Sequence, residues 1–210
     1  MININQGLFL NEETNNVTLV GRISNTFTFS HEIHGESFYL SEIKTTRQSL
    51  VEDIIPFMIS DHLVNFTNLD NNKKYKIQGQ IRTYNQHTNE KTKLLIFVFV
   101  KDIIEVEEEY EDINEVYING FTCKSPIYRK TPNGREISDL VVAVNRAYGK
   151  SDYLPCICWG RNARYSRLFH VGTRIKLTGR IQSRQYDKHM DDTTVTKVAY
   201  EVSVSSIQIT

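Results

Sequence analysis

The 210-residue sequence predicts an all-β chain of two tandem five-stranded β-barrels, each with a short helix between its third and fourth strands. Three observations predict it: an internal repeat, strand-like patterning through both copies, and one helix-compatible stretch at the same place in each. The repeat emerges when the chain is slid 99 positions against itself. Val17, Leu19 and Gly21 then fall on Val116, Ile118 and Gly120, Gly35 on Gly134, Arg47 on Arg146, Asp53 on Asp152 and Pro56 on Pro155. After one inserted residue, Gly79 and Ile81 fall on Gly179 and Ile181. One shift that superimposes glycines and a proline together marks duplication of a structural unit. Each copy, at about 100 residues, is long enough to bury its own core without disulfides.

The elements follow in order. In the second copy residues 116–120 alternate apolar and polar, 131–134 (Thr-Pro-Asn-Gly) is a turn signal, and 137–145 is a β-rich run. A third strand covers 153–159, and a helix covers 163–169 with Gly172 as its C-cap. Two more strands cover 174–186 and 195–209. The first copy repeats the layout with 61–68 in the helix slot. Five strands with a helix after the third is the layout of the OB fold. The domain boundaries expected are 1–105, a link at 106–112, and 113–210.

Charge separates the copies although the whole chain is neutral. Before Ile113 there are 10 Lys and Arg against 17 Asp and Glu, and from Ile113 onward 15 against 8. An anionic partner is therefore drawn to the second copy and repelled by the first. The acidic link between them reads as a solvated connector, or as a strip that competes with an anion for the basic copy.

Several function classes are excluded. Cys123, Cys156 and Cys158 are too few and too odd in number for a disulfide framework, and with no charged-then-apolar leader they fit a reducing cytoplasm. The longest apolar run, 94–100, has the length of a buried strand rather than a membrane span. Cys156 and Cys158 lie on alternate positions of one strand and suit core packing better than zinc, which wants four ligands at defined intervals. No P-loop, G-x-S-x-G or H-E-x-x-H pattern occurs, so no enzyme, metal or cofactor is expected.

The second copy then resembles a known family. Its segments Asn114-Glu115-Val116-Tyr117-Ile118-Asn119-Gly120, Thr131-Pro132-Asn133-Gly134, Leu140 to Arg146 (LVVAVNR), Trp159-Gly160-Arg161 and Thr178-Gly179-Arg180-Ile181 are similar, in order and spacing, to the bacterial single-stranded DNA-binding (SSB) family. The first copy resembles it through the repeat and its own Asn16-Val17-Thr18-Leu19-Val20-Gly21-Arg22. The resemblance implies sequence-tolerant binding and protection of single-stranded DNA in replication, recombination, repair, or plasmid or conjugative transfer. It also implies four OB folds per assembly, hence a homodimer of this two-copy chain, and weaker binding of RNA. The family's flexible linker and acidic tip have no counterpart after Thr210, so recruitment of other proteins by that route is not expected.

A single strand offers apolar base faces and one phosphate per nucleotide, so a site that ignores sequence needs aromatic platforms interleaved with cations. Tyr153 and Trp159 are an even number of positions apart on one strand and share a face. Tyr148 lies in the hairpin loop 145–151 that precedes this strand, and Tyr186 ends a strand. The resemblance places Tyr148, Tyr153, Trp159 and Tyr186 in base-stacking slots, and Arg161, Arg184 and Lys150 beside phosphates. Arg129, Lys130, Arg135, Arg146 and Lys188 are further candidates on charge and loop position. Arg161, Arg164 and Arg167 also have helical spacing and read equally as one exposed helix face. In the first copy the positions matching Tyr148, Tyr153 and Trp159 are Ser49, Ile54 and Ser60. That copy reads as architectural, with Tyr84, Arg82 or Arg47 as its strand contacts if it has any. The competing reading is an OB-type interaction module of a replication or conjugation complex with little DNA affinity, because the fold alone does not fix function.

Overall fold

The computed structural model describes residues 14–24, 26–87, 92–146, 149–190 and 193–210; at 86–87, 92–93, 186–190 and 193–197 it describes the backbone only. Among the described residues twelve strands fall into two matching sets. The first is β1 (Asn15–Ile23), β2 (Thr28–Ile33), β3 (Glu36–Thr46), β4 (Glu52–Ser60), β5 (Lys74–His87) and β6 (Thr92–Val106). The second is β7 (Ile113–Thr122), β8 (Ile127–Lys130), β9 (Glu136–Asn145), β10 (Ser151–Trp159), β11 (Arg174–Met190) and β12 (Thr193–Ile209).

All twelve join one sheet in the order β2-β3-β4-β6-β5-β1-β7-β11-β12-β10-β9-β8. Two extra pairings, β1 with β3 and β7 with β9, return each set on itself, so five strands in each form a closed ring. At those closures the backbones come too close for a side chain. A Cβ on Gly21 would collide with the Lys44 carbonyl oxygen, and one on Gly120 would lie 2.5 Å from that of Ala143. The glycines that announced the repeat are therefore the residues that let each ring close. Inside the rings the buried side chains include Leu19, Ile43, Ile55, Phe57 and Ile77 in the first unit, and Ile118, Leu154, Ile175 and Leu177 in the second. Alternation along β10 turns Leu154, Cys156 and Cys158 inward, as the cysteine spacing predicts.

Three expectations need correction. Each unit has six strands rather than five, because β2 and β8 hang on the outer edges of β3 and β9. β2 joins β3 through His34 and Gly35, both at positive φ (51° and 80°), the tight hairpin turn that matches strand twist. β8 is four residues long, too short to show a period. The helix of the second unit, α1, spans Arg161–Ser166 and is capped by Arg167; Gly172, at φ 89°, instead donates its N–H to the Thr122 carbonyl. The helix slot of the first unit holds a single 3-10 turn, Phe66–Asn68. There Asn65 accepts a hydrogen bond from the Thr67 N–H, the local side-chain competition that keeps Asn and Thr out of helix interiors.

The units meet at β1 and β7, which pair antiparallel with Val17 opposite Val116. These two residues, 99 positions apart, face each other, and a pseudo-twofold axis passes between them. On either side an equivalent asparagine staples its own sheet: Asn15 bridges the Ile81 N–H and carbonyl at 2.9 and 2.8 Å, and Asn114 does the same for Ile181 at 2.9 and 2.7 Å. The acidic link is no free connector. Glu108 pairs with Arg22, and Asp112 takes Lys74 at 3.0 Å and the Thr46 N–H at 2.8 Å.

Candidate nucleic-acid interface

The outer face of β10 carries the two predicted platforms. Because Leu154, Cys156 and Cys158 point into the core, Tyr153 and Trp159 point out of it, 52% and 39% exposed. Between them Ile157 on the same face is only 4% exposed and, with Ile137 of β9, floors a groove of about 360 Å³ whose wall is Trp159. Arg129 and Arg184 line the groove from either side, and Arg47 of the first unit reaches its rim.

Its cations are held loosely. Arg129 pairs with Asp139 at 3.0 Å and Arg184 with Glu201 at 3.9 Å, and both guanidinium groups remain about half exposed. Exposed pairs of this kind contribute about 0–1 kcal/mol, so an incoming phosphate can displace the carboxylate. Arg161 opens α1 exposed to solvent beside Trp159 in sequence. Lys130, Arg135 and Lys150 are exposed at the strand edge and loops. Arg164 instead pairs with Glu136, and Arg167 lies over the Tyr128 ring at 5.3 Å, so the arginine series at helical spacing is mostly engaged on the exposed face of α1.

Arg146 takes another place. Its guanidinium holds the fully buried Asp152 and donates to the Thr83 carbonyl at 3.1 Å across the unit boundary. Asp152 also accepts the Thr83 N–H at 2.6 Å and sits 3.4 Å from Arg82, which makes Arg146 a seam residue. In the first unit Arg47 and Asp53 repeat the pair at 2.5 and 2.6 Å. Tyr148 and the side chains of Tyr186 and Lys188 lie outside the described residues; the backbones of the last two pair with Lys197 and Val195 on β12.

On the matching face of the first unit Ile54 is exposed and Ser60 is buried, so no ring stands at either position. The face also changes character. In the second unit the outer neighbours across β9, β10 and β12 are Asp139, Ile157 and Ser203; in the first, Leu40, Met58 and Phe99 occupy the same register. Arg82 covers the Phe99 ring at 5.9 Å. Sequence reasoning missed Ile137 and Ile157 as groove floor and Arg47 as its rim, the last because it comes from the other unit.

Burial pushes the Cys158 thiol up to about 11 and the Cys156 thiol well above its usual value, so both stay protonated. Among the described residues no group of three or more His, Cys, Asp or Glu could hold a metal, and no helix is long and apolar enough to cross a membrane.

Comparison with known proteins agrees with this geometry. Residues 113–210 match the model of the single-strand binding protein family. A single-stranded DNA-binding protein of Halalkalibacterium halodurans is 30% identical over 84 residues, covering 37% of this chain and 50% of the relative. Single-stranded DNA-binding protein A of Bacillus subtilis is 28% identical over 103 residues, covering 46% and 58%. The match thus spans about half the length of these curated relatives. Among solved structures, the wild-type single-stranded DNA binding protein from Thermus aquaticus superposes with a TM-score of 0.76 at 16% identity, covering 93% of this chain and 92% of that one. A likeness that covers both units extends the tandem OB-like strand topology to the first.

Proposed function

We propose, from the match of residues 113–210 to the single-strand binding protein family model, that the chain binds single-stranded DNA without regard to sequence and without catalysis, across the outer face of the second unit. The observation that carries this reading is the pair of rings on β10, exposed on one face and separated by an apolar floor, with displaceable arginines on both sides. Bases stack on Trp159 and Tyr153 because every base has an apolar π-face. Phosphates replace the carboxylates on Arg129 and Arg184 and meet Arg161, Lys150, Lys130 and Arg135 at the margins. Tyr148, Tyr186 and Lys188 are further strand contacts in this reading. Arg146 holds the seam and does not contact the strand.

Each closed ring is read as an OB barrel, with 1–105 as an architectural domain, 106–112 as a connector bound to it, and 113–210 as the binding domain. The apolar register Leu40, Met58, Phe99 on the first unit is the face by which two chains associate, giving a homodimer with four OB folds. DNA protection in replication, recombination, repair or conjugative transfer follows from sequence-tolerant coverage.

The test is the fluorescence anisotropy of a labelled oligo(dT) against a duplex of equal length, at two salt concentrations. Preference for the single strand, with affinity falling as salt rises because phosphate contacts release counterions, is the expected result. Absence of binding at low salt would favour an OB-type interaction module instead.

A further inference from the structure

We infer that the cavity at the seam between the two units is a phosphate-binding site, built on Arg180 and Thr45. The inference deepens the proposed function, since it assigns where the bound strand goes after the Trp159 groove. The cavity measures about 760 Å³, twice the groove, and is lined by Arg22, Arg47, Lys74 and Arg180 against Glu111 and Asp112. This is a concentration of cations beside a first unit that is acidic as a whole. Arg47 lines both the cavity and the groove, so the two are neighbours.

Two buried polar atoms at this seam lack a partner among the described residues. Thr45 is 2% exposed, and neither its Oγ1 nor the Arg180 Nε has a hydrogen bond. An unpaired buried donor is costly unless something outside the chain completes it. The pseudo-twofold axis shows why the defect is specific. On the other side of the axis one carboxylate, Asp152, serves both Arg146 and Arg82. On this side Asp53 holds Arg47, and the reach of Arg180 ends on Gln182 at 3.5 Å. The counterparts of Thr45, Arg22 and Arg180 across the axis are Val144, Phe121 and Gln80, and the arginine on that side, Arg82, bonds both Gln80 and Asp152.

Burial and the like charge of Arg47 lower the proton affinity of Arg180, and the nearby Asp53 charge opposes them. An oxyanion with three acceptors would take the Arg180 Nε–H and the Thr45 hydroxyl together. Of the other cations, Arg22 has an exchangeable partner, since both side chains of the Arg22–Glu108 pair are more than 40% exposed, while Arg47 and Lys74 stay in their less exposed pairs with Asp53 and Asp112.

The phosphate can come from the backbone of the bound strand or from a free oligophosphate, and two arms separate these sources. Wild type, Arg180→Gln and Thr45→Val are titrated with labelled oligo(dT) of increasing length at several salt concentrations. If the strand supplies the phosphate, Arg180→Gln binds the longer oligomers several-fold more weakly, keeps the affinity of the shortest, and loses about 0.7 from the slope of log K against log salt, the share of one phosphate on a single strand. Thr45→Val, which retains every charge, shifts affinity in the same direction by less. In the second arm inorganic phosphate and tripolyphosphate are added in thermal melts. A rise in melting temperature for wild type but not for Arg180→Gln supports the site with a free anion as its ligand. If the slope and the melts are both indifferent to Arg180→Gln, the inference is overturned. Failure of wild type to bind any oligo(dT) would instead overturn the proposed function, and the thermal arm then decides the cavity alone.

Discussion

Replacing Trp159 with alanine is expected to weaken oligo(dT) binding about tenfold or more, because a base stacked on an aromatic ring contributes about 1–3 kcal/mol. The loss should not be total, since Tyr153 and the arginines remain. It should also leave the fold standing: Trp159 ends its strand, with its ring outside the core residues that close the second unit. Tyr165 supplies a matched control. It is equally exposed at 39% but packs edge-on against Phe169 at 5.0 Å and does not line the groove, so Tyr165→Ala should leave affinity unchanged. Equal losses from the two substitutions would mean that aromatic surface in general, rather than the groove, holds the strand.

The second large effect is on stability. Asp152→Ala should cost about 3–5 kcal/mol, the usual consequence of removing one partner from a buried ionic cluster. The carboxylate is fully buried and holds Arg146, Arg82 and the Thr83 N–H at once, joining β10 of one unit to β5 of the other. Asp53→Ala, which releases Arg47 alone, should cost less. Denaturant midpoints of the two variants check the order. An Asp152 variant as stable as wild type would show that the units are held by the β1–β7 pairing without help from the charged seam.

Much of this architecture was legible in the residues. The glycines at 21 and 120 could be matched by the 99-position shift because closing a ring leaves no room for a Cβ, a constraint that survives when most other positions change. The inward set Leu154, Cys156, Cys158 and the outward pair Tyr153, Trp159 followed from the two-residue period of a strand. What escaped was set by tertiary context. Arg146 reads as a surface cation in the sequence, and its true partner, Asp152, is hidden by the turn that brings β9 and β10 together. The Arg47–Asp53 match in the first copy was the available sign that the pair is structural. The short edge strands β2 and β8 carry too few residues to show a period, and the helix slot of the first unit holds one turn capped by two Asn65–Thr67 hydrogen bonds. No feature of either copy alone could place Arg47 at the rim of the other unit's groove or leave Arg180 short of a carboxylate.

The most direct measurement is the emission of Trp159, the sole tryptophan, titrated with oligo(dT) at low and at high salt. Stacking of a base on the indole predicts strong, saturable quenching at low salt that recedes as salt rises. Emission that stays constant while an independent probe reports the strand bound would place the DNA elsewhere on the molecule.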